Sequence, residues 1–142
     1  MKKSLLTSLV ITMFAATSFA QQVRSPEIVA DIHLTGQTGS IGGTLLTPVN
    51  TGLFRVNFYI QSTGGDPSTG QGIFPNFNWT DDSGPDYQPL PLVADGGPQQ
   101  PFSTVFIIKA IAGKPITWAT GLNPTDNSVY EVYLTLERIG TK

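Results

Sequence analysis

The feature that most constrains the fold is residues 45–60, a short apolar run, a turn at Pro48–Gly52 and a longer alternating run. The longer run has an apolar side and a polar side, which are respectively Phe54, Val56, Phe58, Ile60 and Arg55, Asn57, Tyr59, Gln61. Such alternation, rich in β-branched and aromatic residues, is typical of a strand with one buried side and one solvent-facing side. We therefore predict that this run is a central strand of an all-β core.

The first twenty residues have the pattern of an export signal. Lys2 and Lys3 precede an apolar run over residues 5–16, and small residues stand at Ser18 and Ala20. The start is typical of bacterial signals, and the run is too short for a permanent membrane span. We expect cleavage near Ala20, a single domain over residues 21–142, no transmembrane anchor, and a secreted or periplasmic location.

Charge and cysteine content exclude several classes of partner. Without the two lysines of the predicted signal, six of the eight basic residues remain against ten acidic ones, a formal net charge of −4. No basic cluster is present, so we expect neither nucleic acid nor an anionic membrane surface as a partner. The chain has no cysteine, so its stability must come from packing rather than from disulfides.

The rest of the chain also has the pattern of strands and turns. Only 13% of the residues are charged, whereas glycines number 15 and prolines 11. Strand patterns over residues 28–34, 45–46, 54–61, 73–80, 87–93, 102–111, 116–120 and 129–139 alternate with predicted loops at residues 36–43, 63–72, 81–86 and 95–98. Pro75 should restrict its strand to an edge or a bulge. About eight to ten strands indicate an antiparallel β-sandwich or barrel.

The longest apolar strand pattern, residues 102–111, is apolar on both of its sides. Val105, Ile107 and Ile111 share the side that would face solvent in a lone sandwich. Two interpretations remain open. Either this side is covered by another copy in a cyclic oligomer, or the strand is buried on both sides within one chain.

Residues 47–58, TPVNTGLFRVNF, resemble a segment of the tumour-necrosis-factor-like jelly rolls, a superfamily that includes complement heads and bacterial spore-surface glycoprotein heads. The later order is similar too, with a long apolar strand, a turn at Gly113, a strand with Trp118 and a closing strand. The resemblance implies a jelly roll of about ten strands that assembles as a homotrimer. It implies an interaction module whose loops, here residues 64–72 and 81–86, contact partners.

Catalytic chemistry has little basis in this sequence. The lone histidine, His33, lies in a strand pattern, and no nucleophile motif precedes a helix. Glu131 and Glu137 share a strand side but would lie roughly 20 Å apart, too far for paired carboxylate catalysis. We expect no enzyme and no cofactor.

Two binding chemistries remain as alternatives. Tyr59, Tyr133 and Trp79 could form an aromatic platform for an extracellular polysaccharide, although large aromatic residues more often lie in the core. Three aspartates in the predicted 81–86 turn could hold calcium or could simply face solvent: Asp81, Asp82 and Asp86. We therefore expect a secreted, non-enzymatic module, a homotrimer that binds an extracellular protein, with a carbohydrate-binding module as the alternative.

Overall fold

The computed structural model of the chain describes residues 25–65, 72–94, 101–122 and 127–141. These residues form nine strands, and among them no helix has the length and apolarity that a membrane crossing needs. The strands are β1 (Glu27–Gln37), β2 (Ile41–Leu46), β3 (Gly52–Gly64), β4 (Gly72–Asp81), β5 (Gly84–Pro89), β6 (Val93–Ala94), β7 (Phe102–Ala110), β8 (Ile116–Gly121) and β9 (Val129–Thr141). The predicted signal at residues 1–20, the predicted turn at 95–98 and most of the predicted 63–72 loop lie outside the described ranges.

The strands pair into two antiparallel sheets. Sheet A has the order β1-β9-β3-β7, and sheet B has the order β2-β8-β4-β5, with β6 also paired to β4. Successive strands mostly alternate between the two sheets, as in a jelly roll. The predicted all-β, antiparallel jelly-roll sandwich is therefore confirmed, and the predicted central strand, β3, lies between β9 and β7.

The core lies between the sheets and is built from the inward sides of the predicted alternating strands. The apolar side of β3 is fully buried, and so is that of β9: Phe54, Val56, Phe58, Ile60 and Tyr130, Val132, Leu134, Leu136. Phe77 of sheet B inserts between two phenylalanines of sheet A. Its ring meets those of Phe58 and Phe106 edge to face, at centroid distances of 5.4 and 5.3 Å.

A buried hydroxyl network joins the two sheets at one end of the core. The Tyr130 hydroxyl donates to the Gly39 carbonyl oxygen at 2.5 Å and lies 2.7 Å from the Thr120 hydroxyl. The Thr120 hydroxyl oxygen in turn accepts from the Ile41 N–H at 3.1 Å. Both side chains are buried, so each hydroxyl needs these partners to avoid a desolvation penalty. The network therefore connects β9 to β8 and to the β1–β2 turn.

The predicted loop at residues 36–43 is wrong in extent. β1 continues to Gln37 and β2 begins at Ile41, so glycines 42 and 43 lie within a strand. A Cβ atom at Gly42 would lie only 2.5 Å from the Trp118 carbonyl oxygen, so glycine permits the close approach of β2 to β8.

The prediction that Pro75 lies at an edge or a bulge is wrong for the edge, because β4 lies between β8 and β5. It is correct for the irregularity: Pro75 stands where the neighbouring partner is interrupted, after β5 has ended at Pro89 and before β6 begins at Val93, and the pairing shifts by one residue there. Its carbonyl oxygen accepts from the Leu90 N–H at 2.9 Å. In antiparallel pairing the N–H and C=O of one residue face the same neighbouring strand. The N–H that proline lacks would therefore face the interrupted side, where no regular ladder hydrogen bond is lost.

Candidate functional site

The outward side of sheet A carries a row of three rings on neighbouring strands. Strand register pairs His33 of β1 with Tyr133 of β9, and Tyr133 with Tyr59 of β3. The His33 and Tyr133 rings stack at 3.9 Å with an interplanar angle of 26°, and the Tyr133 and Tyr59 rings meet edge to face at 5.4 Å. The sequence indicated both tyrosines as binding candidates, whereas His33 was considered only for catalysis. His33 is exposed on β1, between the half-buried Ile32 and Leu34, and the pairing of β1 with β9 places it against Tyr133.

Two shallow depressions flank this ring row. One has a volume of about 260 Å³ and lies between the tyrosines and the edge strand β7, where Asn57, Ser103 and Val105 contribute to its lining. The other, of about 270 Å³, is lined by Tyr59, Tyr133 and Glu131. The Tyr59 hydroxyl donates to Gln61 Oε1 at 2.5 Å. The pKa of Tyr59 is raised mainly by desolvation, and further by the Glu131 charge and by Tyr133. The face therefore offers the neutral phenol of Tyr59 beside apolar surface.

A polar strip crosses the same face beside the ring row. Arg55 Nε donates to Glu137 Oε2 at 3.0 Å, and the two side chains form an ion pair. The Asn57 amide donates to Thr135 Oγ1 and to Glu137 Oε1, both at 2.9 Å. These polar groups already satisfy one another, so they are a fixed part of the face rather than an open site.

The edge strand β7 exposes the apolar side that the sequence analysis singled out. Val105 and Ile107 are 62% and 61% exposed, so this side is not core of the single chain. Ile111 departs from the prediction that it shares this side. β7 ends at Ala110, and Ile111 lies in the following turn, half-buried, where its N–H donates to the Thr80 carbonyl oxygen at 3.0 Å.

Trp79 does not join the tyrosines. It lies on β4 of sheet B, partly buried against the core. Phe77, two residues earlier on the same side of the strand, is fully buried. The aromatic platform expected from three residues is thus brought together at Tyr59 and Tyr133 only.

The predicted acidic turn is a tight hairpin, because Asp81 pairs with Gly84 and Asp86 lies within β5. The three carboxylates have different partners. Asp81 accepts from the Ser83 N–H at 2.6 Å, Asp86 accepts from the N–H of its neighbour Tyr87 at 2.8 Å, and Asp82 forms an ion pair with Lys109. No group of three potential metal-ligating side chains occurs in the part of the chain that the structure describes. The calcium site stays a prediction.

Comparisons with known proteins give no family. No family model and no curated protein matches the chain. The solved structures that match the chain include the following two. One is described as "Family 16 Carbohydrate Binding Module-2", at 13% identity and a TM-score of 0.39, with 73% of each chain covered. The other, "Structure of Eiger TNF from S. frugiperda", has 12% identity and a TM-score of 0.41, with 82% of this chain and 95% of that chain covered. The jelly-roll assignment itself rests on the strand order of this chain.

Proposed function

We propose that the chain is an exported, non-enzymatic interaction module that associates with copies of itself as a threefold ring. The observation that carries this proposal is the exposure of Val105 and Ile107, each above 60%, on the edge strand β7. An apolar, nine-residue edge strand invites pairing or packing with another chain unless something covers it. A second copy would cover it without requiring any other protein.

The layout of the outward face of sheet A supports a cyclic oligomer rather than a dimer with twofold symmetry. The apolar patch on β7, Val105 and Ile107, lies on one flank of sheet A, and the ring row, His33, Tyr133 and Tyr59, reaches the opposite flank. A cyclic ring joins two different patches of successive copies, whereas a twofold dimer joins one patch to itself. The resemblance of residues 47–58 to tumour-necrosis-factor-like jelly rolls supports the number three.

The expected energy of this contact is modest per residue. Complete burial of a valine or isoleucine side chain stabilises by about 1.5–3 kcal/mol. Each residue is a little over 60% exposed, so its burial against a partner would add about 1–2 kcal/mol. A cyclic trimer contains this contact three times.

A second candidate function, binding of polysaccharide to the same face, is favoured by the ring row. Tyr133 is 40% exposed beside Tyr59, and a depression adjoins both rings. Aromatic rings next to hydrogen-bonding groups are suited to sugars, which have apolar C–H faces and polar hydroxyls. A cyclic oligomer formed through this face would cover both tyrosines, so self-association and polysaccharide binding cannot both use it.

The substitution Ile107→Lys tests the self-association. A lysine in the middle of the β7 patch should dissociate the oligomer into folded monomers, because an unpaired charge cannot be buried there without a large penalty. Gln88→Lys, on the exposed surface of β5, adds the same charge elsewhere and should leave the mass unchanged. Light scattering after size exclusion measures the mass. An Ile107→Lys variant with the wild-type mass would contradict the proposal.

A further inference from the structure

The two outward faces of the sandwich differ sharply in charge. The outward side of sheet A carries ionisable residues on all four of its strands: Asp31, His33, Arg55, Lys109, Glu131 and Glu137. On sheet B, burial alternates along β4 and β8 with Ile73, Phe77, Ile116 and Trp118 inside. The positions that alternate with these, and their partners on β2 and β5, hold no acidic or basic side chain in the described residues.

Strand register aligns hydrogen-bonding groups across this uncharged face. Thr44 of β2 pairs with Thr117 of β8, Thr117 with Asn78 of β4, and Asn78 with Tyr87 of β5. Neighbouring strands lie about 4.8 Å apart, so the row from Thr44 to Tyr87 spans roughly 14 Å. A face of this width is formed by rigid strands rather than by loops.

An amide pair lies along β4 between two exposed rings. The Asn78 amide donates to Asn76 Oδ1 at 3.3 Å. Tyr87, 56% exposed, is paired with Asn78, and Phe74, 51% exposed, lies two residues before Asn76 on the same side of β4. From Phe74 to Asn78 the strand rises about 13 Å. The face therefore presents ring, amide, amide and ring in sequence.

We propose that the outward face of sheet B binds a neutral polysaccharide that runs along β4 between Phe74 and Tyr87. The apolar C–H face of a sugar ring packs on an exposed aromatic ring, while its hydroxyls pair with the donors and acceptors of asparagine and threonine. An anionic polymer needs basic side chains, and this face has none. The site lies on the opposite side of the sandwich from the ring row, so it is compatible with self-association through sheet A.

Native affinity electrophoresis of the intact protein tests this site. The gels contain galactomannan, hydroxyethylcellulose or laminarin as neutral probes, and alginate as an anionic probe. We expect retardation by at least one neutral probe and none by alginate. Tyr87→Ala and Asn78→Asp should each weaken that retardation about tenfold or more, because the first removes a ring and the second adds a charge. Val49→Ala, at an 83% exposed side chain in the turn between β2 and β3, should leave it unchanged, and Tyr133→Ala tests the ring row on the other face.

Three results would overturn the proposal. They are the absence of retardation by every neutral probe, retardation by alginate alone, and loss of retardation in Tyr133→Ala with retention in Tyr87→Ala. The last result would move sugar binding to sheet A. Near-ultraviolet circular dichroism tests whether each variant is folded. If Tyr87→Ala keeps its solution mass, its loss of retardation reflects lost sugar binding rather than lost self-association.

Discussion

His33 and Tyr133, one hundred residues apart in the chain, stack with their ring centroids 3.9 Å apart on paired strands at the flank of sheet A. Tyr133 also meets Tyr59 edge to face, so its ring is the centre of the row. Removal of that one ring therefore eliminates both aromatic contacts. It also removes the aromatic part of the face that we propose a second copy covers.

Tyr133→Ala should lower the free energy of unfolding by about 1–3 kcal/mol, since each aromatic contact contributes about 0.5–1.5 kcal/mol. It should also weaken the oligomer. Urea denaturation and light scattering measure the two effects. Tyr87→Ala is the matched control, because Tyr87 is more exposed, at 56%, and lies on sheet B. Equal losses of oligomer in both variants would show that the ring row is not an interface.

Tyr130→Phe should destabilise the protein by about 1–3 kcal/mol. The substitution keeps the buried ring but removes the hydroxyl that contacts the Gly39 carbonyl and the Thr120 hydroxyl, so the buried Thr120 hydroxyl loses one partner and the link from β9 to the β1–β2 turn is lost. Urea denaturation measures the change against Tyr87→Phe, which alters an exposed hydroxyl. If both variants are as stable as the wild type, the hydroxyl network does not hold the sheets together.

Alkaline pH should destabilise the protein through Tyr130. Burial raises the pKa of this phenol above its ordinary value of 10.0, although the hydrogen bond with Thr120 lowers it in part. The folded state thus holds the proton more tightly than the unfolded chain does, and its contribution to stability is present below about pH 10 and is lost as the pH rises through the folded-state pKa. Melting temperatures between about pH 8 and pH 11 should be level and then fall. Tyr130→Phe should fall less steeply than the wild type, and an identical decline in both would refute the assignment.

Gly113→Ala should destabilise the protein by about 1 kcal/mol. Gly113 has a φ of 74° in the turn between β7 and β8, a conformation that alanine adopts only with strain. Its N–H donates to the Pro48 carbonyl oxygen at 2.7 Å, which helps fix that turn. Gly39→Ala, at a loop glycine with open space and no positive φ, is the control. Thermal unfolding compares them, and a larger loss in Gly39→Ala would contradict this account.

Local patterns predicted the strands well but could not predict which strands pair. The alternation of β3 and of β9 identified their buried sides, because one side of each strand faces the core. The pairing of β1 with β9 joins chain segments about a hundred residues apart, and no local signal encodes it. For this reason Tyr59 and Tyr133 were identified singly, while their contact with each other and with His33 required the structure.

The errors also have local physical causes. Gly42 belongs to a strand because β2 must approach β8 closely, although glycine usually indicates a loop. Strict alternation would place Ile28 on the side of Ala30 and Ile32, but Ile28 is 61% exposed, because the register shifts between Ile28 and Ala30. Ile111 does not share the exposed side of β7, because the strand ends one residue before it, at Ala110. Each error lies at a strand end or an irregularity in register.

The solution mass of the purified protein, by light scattering after size exclusion, tests the central claim most directly. A measurement over a range of protein concentrations and at low and high salt separates a stable assembly from weak charge-driven contacts. We predict the mass of three copies, little changed by salt, because the proposed contact depends on the apolar side chains Val105 and Ile107. A mass of one copy throughout would contradict self-association through sheet A.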